Sequence, residues 1–321
     1  MRTQHPNIWH PVVTPSARIP VIEELTLNWH ITEACNYRCQ YCYAKWKDAP
    51  DRKELFHDSG RTRELLGGLF RFFHPKNHRN PLRKEFSWKA VRLNIAGGEP
   101  SVLGDRLLET AQIAQEVGFR LSIISNGSGL TPKVVRELAP QLTCLGISLD
   151  SANSVTNRDI GRADRRGKLL NLDELVANLD LARQINPQLM VKLNTVVNLL
   201  NAGEDLSGLL EEVLPNRWKI LRMLPILDDS LAVSDVEFSA FVQRHRSFRS
   251  IQCVEDNQDM YESYLMIDPL GRFFQNHPSL AGGYLYSKPI LSVGVMAAFK
   301  EMAFKPDSFQ SRYTGEAGGK R

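Results

Sequence analysis

Long hydrophobic runs are missing from this chain of 321 residues, and so is an even set of cysteines. Because it has no stretch of about 18 apolar residues, the sequence predicts no transmembrane helix. The first 20 residues are rich in proline and lack the apolar segment of a secretory signal peptide. Five cysteines do not form the paired framework of a secreted disulfide-rich domain. We therefore expect a soluble cytoplasmic protein that does not bind membranes.

A large excess of one charge is also missing, since 40 lysines and arginines stand against 36 aspartates and glutamates. The net charge of +4 is too small to indicate nucleic-acid binding, although it is compatible with a small polyanionic ligand. We interpret the densest basic stretch, His74 to Lys89, as a solvated connection. The apolar fraction of 42% is typical of a globular domain.

What the chain does contain is a regular alternation of strand and helix patterns. Residues 24–31 alternate between polar and apolar, which predicts a strand. Further strands are predicted at 91–97, 120–127, 144–151, 190–197 and 217–224, and helices at 104–118, 171–186 and 202–214, with a short helix opening at Thr131. Such units in series predict an α/β fold with a parallel sheet. About six strands are fewer than the eight of a complete barrel, so a partial barrel or a wide open sheet would fit.

The alternation breaks after Pro225, which divides the chain into three parts. Residues 1–20 are expected to be an N-terminal tail, 21–225 the barrel, and 226–321 a C-terminal α+β extension. In the extension, the sequence predicts helices at 235–246 and 293–304 and two strands joined through residues 268–271. We expect this extension to cover one end of the sheet and the active site.

Three cysteines, Cys35, Cys39 and Cys42, lie within eight residues in the loop after the first strand. A structural zinc site needs four ligands, and His30 is the one candidate for the fourth. Cys144 and Cys253 lie in apolar surroundings and are interpreted as buried thiols. Alternatively, three thiolates hold three irons of a [4Fe-4S] cluster and leave the fourth iron open to a chelating ligand.

This cysteine motif, with Tyr41 before the last cysteine, resembles that of the radical SAM superfamily, as does the GGEP turn at Gly97–Pro100. The resemblance implies a partial (β/α)6 TIM-like barrel, a [4Fe-4S] cluster on the three cysteines, and S-adenosylmethionine on the open iron. It also implies a set of residues around S-adenosylmethionine: Gly97, Gly98, Glu99, Ser125, Asn126, Ser148 and Arg162. For Asn126, and for Asp150 two residues after Ser148, a role as turn residue or helix cap is an equal alternative.

Several separate stretches resemble the viperin family of antiviral radical SAM nucleotide dehydratases in a prokaryotic-like form. They include NWHITEACNYRCQYCY, LNIAGGEPSVLG, VKLNTVVN, RWKILRMLPI and DNQDMYESYLMIDPLGRFF, and they cover the chain from about Leu25 to Phe274. The resemblance implies hydrogen abstraction from C4′ of CTP, loss of the 3′-hydroxyl, and 3′-deoxy-3′,4′-didehydro-CTP as the product. It further implies a second electron from a flavodoxin-like or ferredoxin-like donor.

Lysine, arginine and asparagine side chains on two neighbouring strands suit a triphosphate. Residues two apart in a strand point the same way, which pairs Lys192 with Asn194 and Arg217 with Lys219 at the expected strand ends. Asn28 and Arg92 are further candidates for the substrate site. The alternative is that the cations pair with carboxylates such as Asp150 or Glu212. The family usually has lysine in place of Arg92 and serine in place of Ala96, so UTP and GTP remain alternative substrates.

The proton donor for the leaving hydroxyl is predicted to be Tyr264, which matches a tyrosine of the family. A tyrosine in a strand is equally a core residue. The extension and the Gly-rich tail are expected to form a lid over a monomeric enzyme. Two other functions are less consistent with the sequence. A peptide-modifying maturase would carry more cysteines after residue 226 than Cys253 alone, and a silent scaffold would need neither GGEP nor Arg162.

Overall fold

The computed structural model describes residues 19–42, 47–226, 228–277 and 283–314, and ten strands of these residues form one sheet. Seven strands run parallel in chain order: β1 Val21–His30, β2 Ser87–Ala96, β3 Arg120–Ser125, β4 Leu142–Ser148, β5 Met190–Val197, β6 Arg217–Arg222 and β7 Gln252–Glu255. The predicted N-terminal tail, apart from its last two residues, lies outside the described residues, as does the Gly-rich end of the chain.

Helices follow the strands and pack on one side of the sheet. They are α1 Ser59–Phe73, α2 Asp105–Val117, α3 Pro132–Leu138, α4 Ser154–Ile160, α5 Leu172–Ile185, α6 Ser207–Val213, α7 Asp235–Arg244 and α8 Asn257–Met260. A parallel sheet with one helical layer and two unpaired edges is a partial TIM-like barrel, which confirms the predicted fold class. Each predicted strand and helix is present, although α6 begins at Ser207 rather than at residue 202, and the helix predicted at 293–304 covers only Val295–Lys300.

The C-terminal extension adds strands to both edges of the barrel sheet. The strand β8 Leu265–Ile267 pairs in parallel with β1, and β9 Arg272–Asn276 and β10 Tyr284–Pro289 continue that edge in antiparallel order. At the other edge, β7 pairs with β6. The helices α9 Ile290–Val293, α10 Val295–Lys300 and α11 Pro306–Thr314 follow. The segment from residue 226 onward is therefore continuous with the barrel, and its role as a cover for the active site stays a prediction.

The sequence patterns missed seven elements: the helices α1, α4, α8, α9 and α11 and the strands β7 and β10. The helix α1 contains three glycines, which lower helix propensity, and it is stabilised by burying one apolar face through Leu65, Leu69 and Phe73. The strands β7 and β10 are short and only partly buried, so their patterns are weak.

Alternation along the strands separates an apolar face from a polar one. In β1, Leu25, Leu27 and Trp29 are fully buried in the main hydrophobic core. Thr26 and Asn28 point the opposite way, into the barrel, and the parallel register puts them beside Arg92 and Asn94 of β2. The inner face of the barrel therefore carries polar side chains along the strands. Among the described residues, no helix has the length and apolar character required to cross a membrane.

Candidate active site

The cysteine loop after β1 is held by backbone contacts to the loop that follows α4. The N–H of Arg38 donates to the carbonyl of Gly161 at 3.0 Å, and the N–H of Cys42 donates to that of Cys39 at 3.0 Å. Gly161 has φ +89°, and a Cβ atom there would lie 2.2 Å from the Arg38 carbonyl oxygen. Only glycine satisfies both conditions. The three thiols are thus fixed at the carboxyl end of the sheet, where they remain partly exposed.

The electrostatic surroundings of the thiols suit a positively charged metal cluster. Burial, with a smaller contribution from the other thiols, raises the pKa of Cys35 to about 11 and that of Cys39 to about 12. Iron would provide the positive charge that holds these groups as thiolates. Among the described residues, no three His, Cys, Asp or Glu side chains converge on a single metal ion, whereas a [4Fe-4S] cluster binds each of its three thiolates through a different iron.

His30, the alternative zinc ligand, packs against an aromatic ring. Its imidazole lies edge-on to Phe274, with ring centroids 4.9 Å apart. Burial lowers the pKa of His30 to about 4, which keeps it neutral.

The glycine turn after β2 packs directly onto the cysteine loop. Gly97 has φ +138°, and a Cβ atom on Gly98 would lie 2.0 Å from the carbonyl oxygen of Ala34. The N–H of Gly98 donates to the Thr32 carbonyl at 2.7 Å, and the N–H of Glu99 to that of Ala34 at 2.8 Å. The two glycines are therefore required for the contact between the two loops.

The buried carboxylate of Glu99 joins this turn to the end of β3. It accepts the hydroxyl of Ser125 at 2.7 Å and the N–H of Asn126 at 2.6 Å. The Asn126 amide donates in turn to Asn36 of the cysteine loop at 2.8 Å. The structure thus brings together the residues predicted around S-adenosylmethionine on these two loops.

Arg162 is buried beside Asp150, and its guanidinium contacts the carboxylate of that residue. Its Nη1 lies 3.1 Å from Asp150 Oδ2 and 3.1 Å from the Tyr41 hydroxyl, and its Nη2 donates to the Ser148 carbonyl. Burial alone would lower the pKa of Arg162, but Asp150 and Tyr41 raise it well above the usual value. Asp150 is thus the ion-pair partner of Arg162, whereas the sequence analysis considered it as an ion-pair partner only for the cations at the substrate site.

Six residues predicted for the substrate site lie on the inner face of the barrel. Lys192 is beside Arg217, and Asn194 is beside Lys219 and Ser148, in the register of β4, β5 and β6. The expectation that the four donors lie together at strand ends is wrong, because Arg217 lies at the amino end of β6 whereas Lys192 lies within β5. The interior of a barrel presents side chains along the whole strand.

An amide chain links the first strands across this inner face. The Asn94 amide donates to Asn28 at 2.9 Å, and the Ser122 hydroxyl donates to Asn94 at 2.8 Å.

Two of the predicted cations pair with carboxylates that the sequence analysis did not single out. Arg92 Nη2 lies 2.7 Å from Glu24 Oε2. Lys219 Nζ lies 2.8 Å from Glu255 Oε1. The partners are therefore not Asp150 and Glu212, which were the expected alternatives.

Arg217 contacts a thiol that was expected to be buried. Its Nη2 donates to the sulfur of Cys253 at 3.0 Å, and Cys253 is partly exposed. Cys144, in contrast, is buried as predicted.

Lys192 differs from its neighbours because no described carboxylate pairs with its ammonium group. Burial, together with the nearby charges of Lys219, Arg92 and Arg217, lowers the pKa of Lys192 to about 8. Three further polar atoms on this face are buried without a hydrogen-bond partner, Thr26 Oγ1, Arg92 Nε and Asn194 Oδ1. The inner face therefore combines cationic groups with unsatisfied polar atoms, as expected of a site for an anionic ligand.

A cavity of about 220 Å³ opens beside the cysteine loop. Its walls include Cys35, Asn36 and Val102, and Asp48 and Arg165 form an ion pair of 2.6 Å at its edge.

Such a fold, with three cysteines after β1 and a glycine turn after β2, defines a radical SAM enzyme, and residues 29–204 match the Radical SAM superfamily. Its cofactors are accordingly a [4Fe-4S] cluster and S-adenosylmethionine. A solved structure titled "Native anSMEcpe with bound AdoMet and Cp18Cys peptide" has a similar fold, with a TM-score of 0.62 and 14% identity over 89% of this chain and 83% of that one.

Within this superfamily, the chain belongs to the S-adenosylmethionine-dependent nucleotide dehydratases, the viperin family. It is 40% identical over 292 residues to the protein of that name from Pseudoalteromonas ulvae, covering 91% of this chain and 94% of that protein. To the protein of the same name from Psychrobacter lutiphocae it is 39% identical over 291 residues, covering 91% and 95%. The resemblance inferred from the motifs is thereby confirmed.

Proposed function

We propose that this enzyme converts CTP into 3′-deoxy-3′,4′-didehydro-CTP, with water as the second product. The observation that carries the proposal is Lys192, a cation without a described carboxylate partner that lies inside the barrel between Arg92 and Arg217. A buried group of like charges is unfavourable unless an anion balances it, and a triphosphate supplies that charge.

The proposed reaction uses two regions of the barrel, the carboxyl end for the cofactor and the deeper part for the phosphates of the substrate. With both cofactors bound, the carboxyl end would supply the radical that takes hydrogen from C4′ of the substrate. We place Gly97, Gly98, Glu99 and Arg162 around the cofactor, together with Ser125, Asn126 and Ser148. Deeper in the barrel, Arg92, Lys192, Asn194 and Arg217 would hold the phosphates, and Asn28 the sugar or base side. The polar groups thereby orient C4′ toward the cofactor.

Tyr264 is the proposed general acid for the departing 3′-hydroxyl. Its phenol lies on the inner side of the sheet, within 2.7 Å of the Lys219 ammonium, so it is polarised by a positive charge. A proton from Tyr264 would let the hydroxyl leave as water.

CTP is proposed over UTP and GTP on the viperin resemblance alone. Ala96, at the end of β2, is largely buried and offers a methyl group where the family usually has a hydroxyl. A methyl group cannot form the hydrogen bond to the nucleotide that the resemblance implies at this position, and the same reaction on UTP or GTP is the alternative. The electron donor is proposed to be a flavodoxin-like or ferredoxin-like protein, and the enzyme a cytoplasmic monomer.

The test is anaerobic reconstitution with iron and sulfide, followed by reduction and incubation with S-adenosylmethionine and each of CTP, UTP and GTP. We expect CTP to stimulate 5′-deoxyadenosine formation and to yield a product lighter by one water in mass spectrometry. If no nucleotide stimulates 5′-deoxyadenosine formation, the proposal fails. Stimulation by UTP or GTP alone would replace CTP by that nucleotide.

A further inference from the structure

A short hairpin after α4 carries three exposed cations. Its two arms meet where Ala163 pairs with Leu169 in an antiparallel bridge. Between the arms, Arg165, Arg166 and Lys168 are exposed to solvent. We call residues 163–169 the basic hairpin.

Hydrogen bonds fix the shape of the basic hairpin. The N–H of Asp164 donates to the Lys168 carbonyl at 2.9 Å. The carboxylate of Asp164 accepts the N–H groups of Arg166 at 2.8 Å and of Lys168 at 2.9 Å, so it is used within the turn. Gly167 has φ +76°, a left-handed conformation that glycine adopts readily. The cations are therefore presented by an ordered turn.

The basic hairpin is joined to the cysteine loop. The N–H of Gln40 donates to the carbonyl of Ile160, just before the hairpin, at 2.9 Å. Within the hairpin, Arg165 Nη2 lies 2.6 Å from Asp48 Oδ1, and the same carboxylate pairs with Arg38 of the cysteine loop. The hairpin and the loop thus form one continuous surface.

This surface has an excess of positive charge. The carboxylate of Asp48 is shared by two arginines, which leaves that group of three with a net positive charge. In the part of the chain that the structure describes, no carboxylate forms an ion pair with Arg166 or Lys168. The cations remain in excess when the aspartate within the turn is counted. Such a surface attracts an acidic partner and helps to orient it.

The positive surface adjoins the site of the cluster. Arg165 and Arg166 line the cavity of about 220 Å³ whose wall includes Cys35. The three thiols of the cysteine loop are partly exposed. A cluster on these thiols must be reduced by a donor that arrives from solvent, because the inner face of the barrel is directed at the substrate. A donor that binds the basic hairpin would lie next to the cluster ligands.

We propose that the basic hairpin and the adjoining cysteine loop form the docking surface for an acidic flavodoxin that reduces the cluster. The inference rests on the proposed function, and it adds the place where the electron donor binds. One electron passes from the reduced flavin to the cluster, so the flavin is oxidised by one electron and the cluster is reduced by one. No covalent bond forms or breaks at the interface.

The cavity favours a flavodoxin over a ferredoxin. In the flavodoxin fold, the flavin binds in the crevice outside the carboxyl ends of the strands, where the edge of a flat ring can face a concave surface. A ferredoxin holds its cluster on cysteine thiolates and has no such ring to present. Charge complementarity selects an acidic carrier, and the concave shape selects the flavin.

The experiment measures reduction of the reconstituted full-length enzyme by an acidic bacterial flavodoxin, with no nucleotide present. Flavodoxin reduced beforehand is mixed anaerobically with the enzyme, and the rate is read from the loss of cluster absorbance. In the double variant Arg166→Glu, Lys168→Glu, we expect the rate at low ionic strength to fall at least about tenfold, since electrostatic steering raises association rates by roughly 10 to 10³. Added salt should slow the wild type and not the variant.

Matched variants separate docking from other effects. Lys76→Glu, Arg79→Glu makes the same change of charge in the loop before β2, at the opposite end of the sheet, and should keep the wild-type rate. Arg166→Lys, Lys168→Arg preserves the charges and should keep it as well. Photoreduced 5-deazariboflavin, a small uncharged reductant, should reduce every variant at the wild-type rate, and iron content should be equal in all. Calorimetry should show weaker flavodoxin binding in Arg166→Glu, Lys168→Glu alone.

Four outcomes would overturn the inference. The first is an unchanged flavodoxin rate in Arg166→Glu, Lys168→Glu, and the second is an equal loss of rate with 5-deazariboflavin, which would make the hairpin a support of the cluster. The third is reduction by a [2Fe-2S] ferredoxin and not by flavodoxin. The fourth is binding of a single-stranded DNA probe that depends on the hairpin while flavodoxin binding does not. An enzyme that flavodoxin reduces but that dehydrates no nucleotide would defeat the proposed function and leave this inference standing.

Discussion

The guanidinium of Arg162 lies 3.1 Å from the carboxylate of Asp150, and both side chains are almost completely buried. The second Asp150 oxygen accepts the N–H of Val196 in β5 at 2.9 Å. The pair therefore connects the loop after α4, the end of β4 and β5 directly beneath the cysteine loop. Its first function is to fix these segments relative to one another.

Asp150→Asn is accordingly expected to destabilise the protein strongly. The change leaves the Arg162 charge buried without its partner, which costs about 3 to 5 kcal/mol in comparable pairs. Chemical denaturation of the apoprotein measures the free energy of unfolding. Asp180→Asn is the matched control, because its pair with Arg183 is on the surface and worth less than about 1 kcal/mol. Equal losses in the two variants would contradict the structural role of Asp150.

Replacing Cys39 by alanine should abolish the cluster. With one of three thiolates gone, we expect less than about a tenth of the wild-type iron and sulfide content after anaerobic reconstitution, together with loss of the brown colour. Cys144→Ala is the control, since Cys144 lies on β4, away from the cysteine loop. Iron retained by Cys39→Ala, or lost equally by Cys144→Ala, would disprove the assignment of the ligands.

Lys192 predicts a pH dependence of nucleotide binding. With a pKa of about 8, its ammonium is charged below that pH and neutral above it. Binding of a triphosphate favours the charged form, so CTP affinity should fall by about tenfold as the pH rises from 7 to 9. Calorimetry at both pH values measures this change. Lys192→Met should bind weakly at both and show little of the pH dependence; a variant that keeps the full dependence would assign it to another group.

The same pKa also predicts the pH dependence of stability without nucleotide. Because the folded-state pKa is lowered from the model-peptide value of 10.5, the unfolded chain binds more protons between pH 8 and 10.5. The contribution of Lys192 to the free energy of unfolding therefore increases with pH in that window. Denaturation at pH 7.5 and 9.5 should show a rise in wild type relative to Lys192→Met, and a parallel pair of curves would contradict it.

Gly98→Ala is expected to disrupt the contact between the glycine turn and the cysteine loop. The added methyl group would lie 2.0 Å from a backbone oxygen, a clash that neither loop can relieve by rotating a side chain. Overpacking of this kind costs about 1 to 3 kcal/mol or more. Thermal unfolding and iron content should both decrease. Gly203→Ala, where a Cβ atom meets nothing within 4 Å, is the control and should leave both unchanged.

Much of the candidate site followed from local patterns. The spacing of Cys35, Cys39 and Cys42 and the adjacent glycine turn predicted a cofactor site because each motif is contiguous in the chain. Alternation along β5 and β6 placed Lys192, Asn194, Arg217 and Lys219 on one face, since side chains repeat every two residues in a strand.

The carboxylate partners could not be read from the sequence. Glu24 and Glu255 lie on different strands from Arg92 and Lys219, and the register of the sheet brings each pair within ion-pair distance. Asp150 follows β4 and Arg162 follows α4, so their contact depends on how these two loops pack. Glu255 was further hidden because β7 is four residues long and its pattern is weak. The sequence analysis also placed the cations too close to the strand ends, because alternation shows which face of a strand a side chain is on and not how far along the barrel it lies.

By itself, the sequence determined the α/β class and the family and predicted the cluster ligands, because these depend on motifs and periodicities within short segments. Only the tertiary structure decided which cations are already neutralised. Charge pairing depends on distances between side chains that are far apart in the chain: Arg162 and Asp150 are 12 positions apart, and Arg92 and Glu24 are 68 positions apart. It is this pairing that leaves Lys192 for an anion and binds Lys219 to Glu255 and Tyr264.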